Sequence, residues 1–187
     1  MYLGAKHMVT GYDHLLFLLG VIFFLYRMRD IAIYVTLFSI GHSITLLAGV
    51  LMEINVSAYL VDAIIGLSVV YKAFDNLNGF KTLFGVQPNN KIAVGLFGLI
   101  HGFGLATKLQ ALNLNENGLV WNMIGFNIGV ELGQIFALSI ILVLMVLWRK
   151  TASFNRLAAA TNVLIMIAGF MLMEYQLAGY FLGLPVT

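Results

Sequence analysis

His7-Met8-Val9-Thr10-Gly11-Tyr12-Asp13-His14 stands at the mouth of an almost unbroken apolar run, Leu15 to Leu25. Two imidazoles and a carboxylate, each able to bind a metal or carry a proton, fall within these eight positions. On one continuous helix His7 and His14 would be two turns apart and nearly eclipsed, with about 10 Å of axial rise between them. Asp13 would point about 100° away from His14. The gap is too wide for both imidazoles to reach one ion, unless the helix starts afresh after Gly11 and His7 folds back. A histidine-rich helix end resting among lipid headgroups is the bland alternative for either histidine alone. Two histidines and an aspartate directly ahead of a span point instead to a site.

The rest of the chain sets the class. Of 187 residues, 61% are hydrophobic and only 10% charged, against about 25% charged in a soluble domain. Mean hydropathy is +0.96. The chain therefore reads as an integral membrane protein, a single transmembrane helical domain over residues 1–187 whose main partner is the lipid bilayer. The expected location is the bacterial inner (plasma) membrane. A net charge of +2 without a basic patch excludes nucleic acid as a partner. The absence of cysteine excludes disulfides, thiolate metal sites and cysteine nucleophiles. Any metal site must use nitrogen and oxygen donors.

Apolar segments near 9–26, 30–52, 55–74, 92–110, 119–148 and 157–180 are each long enough to span, given about 20 residues per crossing. The expected fold is all-α, a polytopic bundle of about six transmembrane helices. Arg27, Arg29, Lys72, Lys81, Lys91, Arg149, Lys150 and Arg156 fall on one side of this arrangement, and Lys6 and Lys108 on the other. By the positive-inside rule both termini are then non-cytoplasmic. The longest loop, Asp75 to Lys91, would be cytoplasmic, and the loop at 111–118 would face the other way.

Ionisable side chains inside a membrane are costly and tend to face the bundle interior. All four histidines of the chain fall in the spans or at their ends: His7, His14, His42 and His101. With them come Asp62 in span three, Glu131 in span five, and Asn127 and Gln134 one turn either side of Glu131. Counting residues from the span ends puts most of these groups in the outer half and leaves the inner half nearly all apolar. Asn127, Glu131 and Gln134 form one polar stripe, while Gly125, Gly129 and Gly133 form a close-packing stripe on another face. Small-residue stripes are common in membrane bundles, so the glycines are assigned to packing, and they also offer a face for homo-oligomers. Buried neutral imidazole is a metal ligand, although a histidine bonded to a backbone carbonyl is the bland alternative. Ser43 and Thr45 are expected to bond carbonyls of their own helix.

The pattern His7-x5-Asp13-His14 resembles the first-span signature of the HupE/UreJ proteins, small membrane proteins of about six spans regarded as secondary nickel or cobalt permeases. A second signature of that family, Phe-His-Gly-x-Ala-His-Gly-x-Glu, is matched in part by Gly98, His101 and Gly102. Phe97 stands where the family has its first histidine, and Gly104 where it has glutamate. Gly41-His42-Ser43-Ile44-Thr45 and the stretch Phe126 to Gln134 look like the divergent second branch of the family. The departures put nickel selectivity in question. Glu131 could replace the lost carboxylate and His42 the lost histidine, if the helices bring them close.

Two functions compete. The first is a permease for a divalent transition metal such as nickel, cobalt or zinc. Its site would draw on His7, Asp13, His14, His42, His101 and Glu131 in the outer half, with Ser43, Asp62, Asn127 and Gln134 lining the pocket. The second is an intramembrane zinc-dependent hydrolase acting on a lipid or a membrane-anchored substrate, with Asp13 or Glu131 as base and Ser43 as an alternative nucleophile. The implied cofactor or cargo is a transition metal ion, Zn, Ni or Co.

Overall fold

The first apolar segment folds as two helices rather than one. Gly11 separates α1 (Tyr2–Thr10) from α2 (Tyr12–Ile22). The Gly11 N–H still bonds the His7 carbonyl, and Leu15 N–H bonds the Gly11 carbonyl, so one residue serves as the end of one helix and the start of the next. The computed structural model describes residues 1–110 and 119–183. The expected loop at 111–118 lies outside the described residues. The further helices are α3 (Met28–Leu51), α4 (Ala58–Asn76), α5 (Gly79–Phe84), α6 (Asn90–Gln110), α7 (Leu119–Arg149) and α8 (Ala152–Leu182). Among the described residues there is no strand, so the all-α class holds.

The stretch expected as one long loop, Asp75 to Lys91, differs from that expectation. α4 continues to Asn76, and α5 forms a short helix bracketed by left-handed Asn78 (φ 57°) and Gly85 (φ 68°). Both residue types tolerate that conformation, which ends one helical turn and begins another.

Among the described residues, three helices, α3, the Trp121–Arg149 part of α7, and α8, are long and apolar enough to cross a membrane. Their outer faces carry exposed Leu132, Ile135, Phe136, Val143, Leu144, Leu164 and Met171, as a lipid-facing surface requires. α4 is different because it carries Asp62, Lys72 and Asp75, all buried. A helix enclosed by its neighbours need not be apolar all round.

Glycine knits the bundle into pairs. α3 lies against α6, α4 against α8, and α1 against α7. A Cβ on Gly66 of α4 would meet the Met173 backbone nitrogen at 2.7 Å and the Gly169 carbonyl at 3.0 Å. On α7, a Cβ at Gly133 would come within 2.8 Å of the Ala5 backbone. The Gly125–Gly133 face is therefore filled by the chain's own α1, and a homo-oligomer would need another surface. α2 sits among the pairs, touching α4, α7 and α8. Its C-terminal end is held by Arg149, whose guanidinium donates to the carbonyls of Ile22, Phe23 and Leu25. One apolar core surrounds Phe17, Ile22, Phe23, Phe38 and Val69; a second surrounds Met8, Leu46, Ala106, Met123 and Val130.

Candidate metal centre

The break at Gly11 does what a straight helix could not. The rings of His7 and His14 lie 5.1 Å apart, centroid to centroid. From α3 and α6, His42 and His101 come to 6.3 Å and 5.1 Å of the same His14 ring. All four histidines of the chain thus meet around His14, brought there by four different helices. His14, His42 and His101 are 3%, 2% and 1% exposed.

Two contacts fix ring orientation. His14 Nδ1 is 2.9 Å from Asp13 Oδ1, which also accepts the His14 backbone N–H at 2.8 Å. Successive side chains on a regular helix diverge, yet Asp13 lies in the first turn of α2 and its short side chain bends back to the next residue. His101 Nδ1 is 2.7 Å from the Phe97 carbonyl. A carboxylate or carbonyl oxygen only accepts, so in each ring Nδ1 carries a proton, which in a neutral imidazole leaves the lone pair on Nε2. Nε2 of His14, His42 and His101 is buried without a hydrogen-bond partner among the described residues. As the side chains stand, no group of three or more His, Asp or Glu among those residues is arranged to hold a metal ion.

Gly11 itself belongs to the geometry. Its φ of −76° and ψ of 96° suit any residue, but a Cβ there would meet Asp13 Oδ1 at 2.9 Å, and His14 Nδ1 and the His7 carbonyl at 3.0 Å. Glycine is required by the close approach, not by the backbone angles.

The carboxylates divide. Asp62 is 9% exposed and lines a cavity of about 300 Å³ with His7, Thr10, Gly11, Asp13, Tyr175 and Gln176. Its Oδ1 lies 3.3 Å from where a Cβ on Gly104 would be. A carboxylate from α4 thus stands beside the position where the HupE/UreJ signature carries glutamate. Nothing in linear order connects residues 62 and 104, so the sequence alone marks Asp62 only as pocket lining.

Glu131 is placed elsewhere. It is exposed, accepts a hydrogen bond from Ser39 at 3.3 Å, and with Gln134 lines a cleft of about 370 Å³ between α3 and α7. Ser43 donates to Asn127 at 3.2 Å across the same seam, so it pairs with an amide on α7 rather than with its own helix. The polar stripe of Asn127, Glu131 and Gln134 thus faces α3. Thr45 bonds the Gly41 carbonyl of its own helix at 3.0 Å, as expected, and its hydroxyl also reaches the Leu99 carbonyl of α6 at 2.6 Å.

Below the imidazoles lies a layer of rings. Phe17 is 5.3 Å from Phe38, 5.9 Å from Phe97 and 5.2 Å from His101. Phe97, which stands where the signature has histidine, belongs to this layer.

No protein of curated function and no solved structure matches the chain. The model of one family, described as HupE / UreJ protein, matches residues 1–183. With its first-span motif built into a four-histidine cluster and the match running over nearly the whole chain, the protein belongs to the HupE/UreJ family.

Proposed function

We propose that this membrane protein is a permease for a divalent transition-metal cation, with nickel, cobalt or zinc as cargo. The observation that carries the reading is the gathering of His7, His42 and His101 around His14 at ring separations of 5.1 to 6.3 Å. Imidazole nitrogens about 2 Å from a tetrahedral ion put their ring centroids about 5 Å apart. The two 5.1 Å separations match that spacing and the 6.3 Å one is wider, so taking up a shared cation requires the side chains to rearrange from the positions described above. Three such atoms are buried and unpaired among the described residues, a cost that a bound cation would offset. Asp13 and Asp62 supply negative charge beside the cluster. The family is associated with nickel and cobalt transport.

The broken helix supports transport as well. Irregular backbone at membrane depth is tolerated where it lines a cavity, and half-helix ends commonly face the ion that is carried. The final carbonyls of α1 present the negative end of a helix dipole to the site. We assign six crossings: α1 with α2, then α3, α4, α6, α7 and α8, with both termini non-cytoplasmic and the protein in a bacterial inner membrane. α1 and α2 have nine and eleven residues, together about 30 Å at 1.5 Å per residue, one hydrocarbon thickness.

The test is purified protein in liposomes. It should bind Ni²⁺, Co²⁺ or Zn²⁺ and admit the ion down a gradient, and His14→Ala should lose both. Stoichiometric zinc without flux would move the assignment to an intramembrane metallohydrolase, with Asp13 or Asp62 beside the metal. No binding of any of the three ions would end the metal reading altogether.

A further inference from the structure

The connection between α4 and α6 turns large apolar side chains outward. Leu83, Phe84 and Val86 are 70%, 67% and 62% exposed, although the amides Asn76, Asn78, Gln87, Asn89 and Asn90 flank them in the chain. α4 and α6 have 19 and 21 residues, each about 30 Å at 1.5 Å per residue, one hydrocarbon thickness. The segment that joins them therefore emerges at the boundary of the bilayer. Adjacent exposed apolar groups on such a segment mark an interaction surface.

The fold keeps these groups from turning back onto the bundle. α5 is seated on α4 by Phe80, whose ring lies 4.8 Å from those of both Tyr71 and Phe74. Gly79 permits the seat, since a Cβ there would run into the Phe74 ring. Beyond α5 the chain is clamped by Asp75. Its buried carboxylate pairs with Lys72 and accepts from Gln87 at 2.6 Å and from Asn90 at 2.8 Å. The Lys72 stem packs in turn against Gly20 of α2. Residues 81–86 lie between the Phe80 seat and the Gln87 clamp, with Leu83, Phe84 and Val86 on the outside.

Charge here is one-sided as well. From Asn76 to Ile92 the chain carries Lys81 and Lys91, both exposed, and no carboxylate. Acyl chains accept apolar groups and anionic headgroups accept ammonium groups, and a bilayer surface offers both side by side. We propose that the segment from Lys81 to Lys91 is an interfacial anchor for acidic phospholipid. Leu83, Phe84 and Val86 enter the boundary of the acyl chains, while Lys81 and Lys91 bind the phosphate headgroups. In the topology assigned above this is the cytoplasmic leaflet. The anchor sets the depth of the adjoining ends of α4 and α6, and with them the clamp on Asp75. It uses neither the histidines nor any metal ion.

The test uses the full chain in vesicles of equal parts phosphatidylcholine and phosphatidylglycerol. The absence of native cysteine lets one introduced thiol carry a nitroxide label. At Phe84→Cys the label should be relaxed by dissolved oxygen and shielded from aqueous chromium oxalate at least fivefold better than at Lys150→Cys, in the turn between α7 and α8. Nitroxide-labelled phosphatidylglycerol should associate with the label-free protein in preference to the matching phosphatidylcholine. Lys81→Gln combined with Lys91→Gln should cut that preference at least twofold. All four substituted side chains are exposed, so the packed bundle is left intact. A label at 84 as open to chromium oxalate as one at 150 overturns the proposal, and so does a lipid preference unmoved by the lysine substitutions. Dipolar broadening between labels at 84 that vanishes on dilution with unlabelled protein would assign the face to a second copy, and overturns it too. Neither arm reads metal binding or flux, so failure of the permease reading leaves both standing.

Discussion

Replacing Gly11 by alanine separates the needs of the fold from those of the site. The backbone angles at Gly11 are open to alanine, so no conformational penalty follows. Restricting the unfolded chain should instead favour the folded state by about 0.4–1 kcal/mol. Against this, the new methyl group would lie 2.9 Å from Asp13 Oδ1 and 3.0 Å from both His14 Nδ1 and the His7 carbonyl oxygen, the last offsetting that gain. Ordinary carbon contacts begin at about 3.5 Å. The carboxylate and the ring must therefore move apart from the methyl by roughly half an ångström each, which breaks or lengthens their 2.9 Å bond. That bond fixes the His14 tautomer and aims Nε2, and loss of such an outer partner typically costs about 10–100-fold in metal affinity. The expected outcome is a protein whose thermal unfolding stays near that of the parent but whose Ni²⁺ or Co²⁺ affinity, by titration calorimetry in detergent, falls at least tenfold. Asp13→Asn, which keeps the shape and weakens the acceptor, should fall in the same direction. Affinity within twofold of the parent for Gly11→Ala, in a protein with unchanged unfolding, would refute the reasoning that this close approach orients the ligand.

Gly66→Leu should wedge α4 from α8, since even a Cβ would meet the Met173 backbone nitrogen at 2.7 Å. Overpacking of this kind costs about 1–3 kcal/mol, visible as a lowered midpoint in thermal unfolding, with Ile64→Leu on the exposed side of the same helix as the silent control. Arg149→Met removes the donor to the carbonyls of Ile22, Phe23 and Leu25. A hydrogen bond to a charged group is worth about 1.5–3 kcal/mol; Arg149 is only half-buried and the freed carbonyls regain some solvation, so a loss of at least about 2 kcal/mol and faster hydrogen exchange at the end of α2 are expected. Thr45→Val keeps the volume but deletes the bond to the Leu99 carbonyl. Interhelical bonds of this type average about 0.6 kcal/mol in membranes, and a destabilisation above about 2 kcal/mol would mean that Thr45 does more than join α3 to α6.

Composition, hydropathy and the spacing of His7, Asp13 and His14 were enough to specify a helical membrane protein and to mark two of the histidines that meet inside it. These properties are local: twenty apolar residues must bury in lipid wherever they stand, and an ionisable group there must find company. The glycines at 125, 129 and 133 were legible as packing for the same reason, although only the fold revealed α1 as the helix they receive. What linear order could not supply was which side chains meet. Helix periodicity pointed Asp13 away from His14, but a first-turn carboxylate free to bend reached it. Glu131 was the natural candidate for the carboxylate missing at Gly104, yet rotation of α7 turned it toward Ser39, and Asp62 came to Gly104 from α4. The inner half looked apolar because average hydropathy dilutes a lysine and an aspartate three residues apart. Only the packing of α2, α4 and α6 around Lys72 and Asp75 made them a buried pair. Position along a helix is set by the sequence; the azimuth at which each helix faces its neighbours is a collective result of every close contact in the bundle, and the site is made of azimuths.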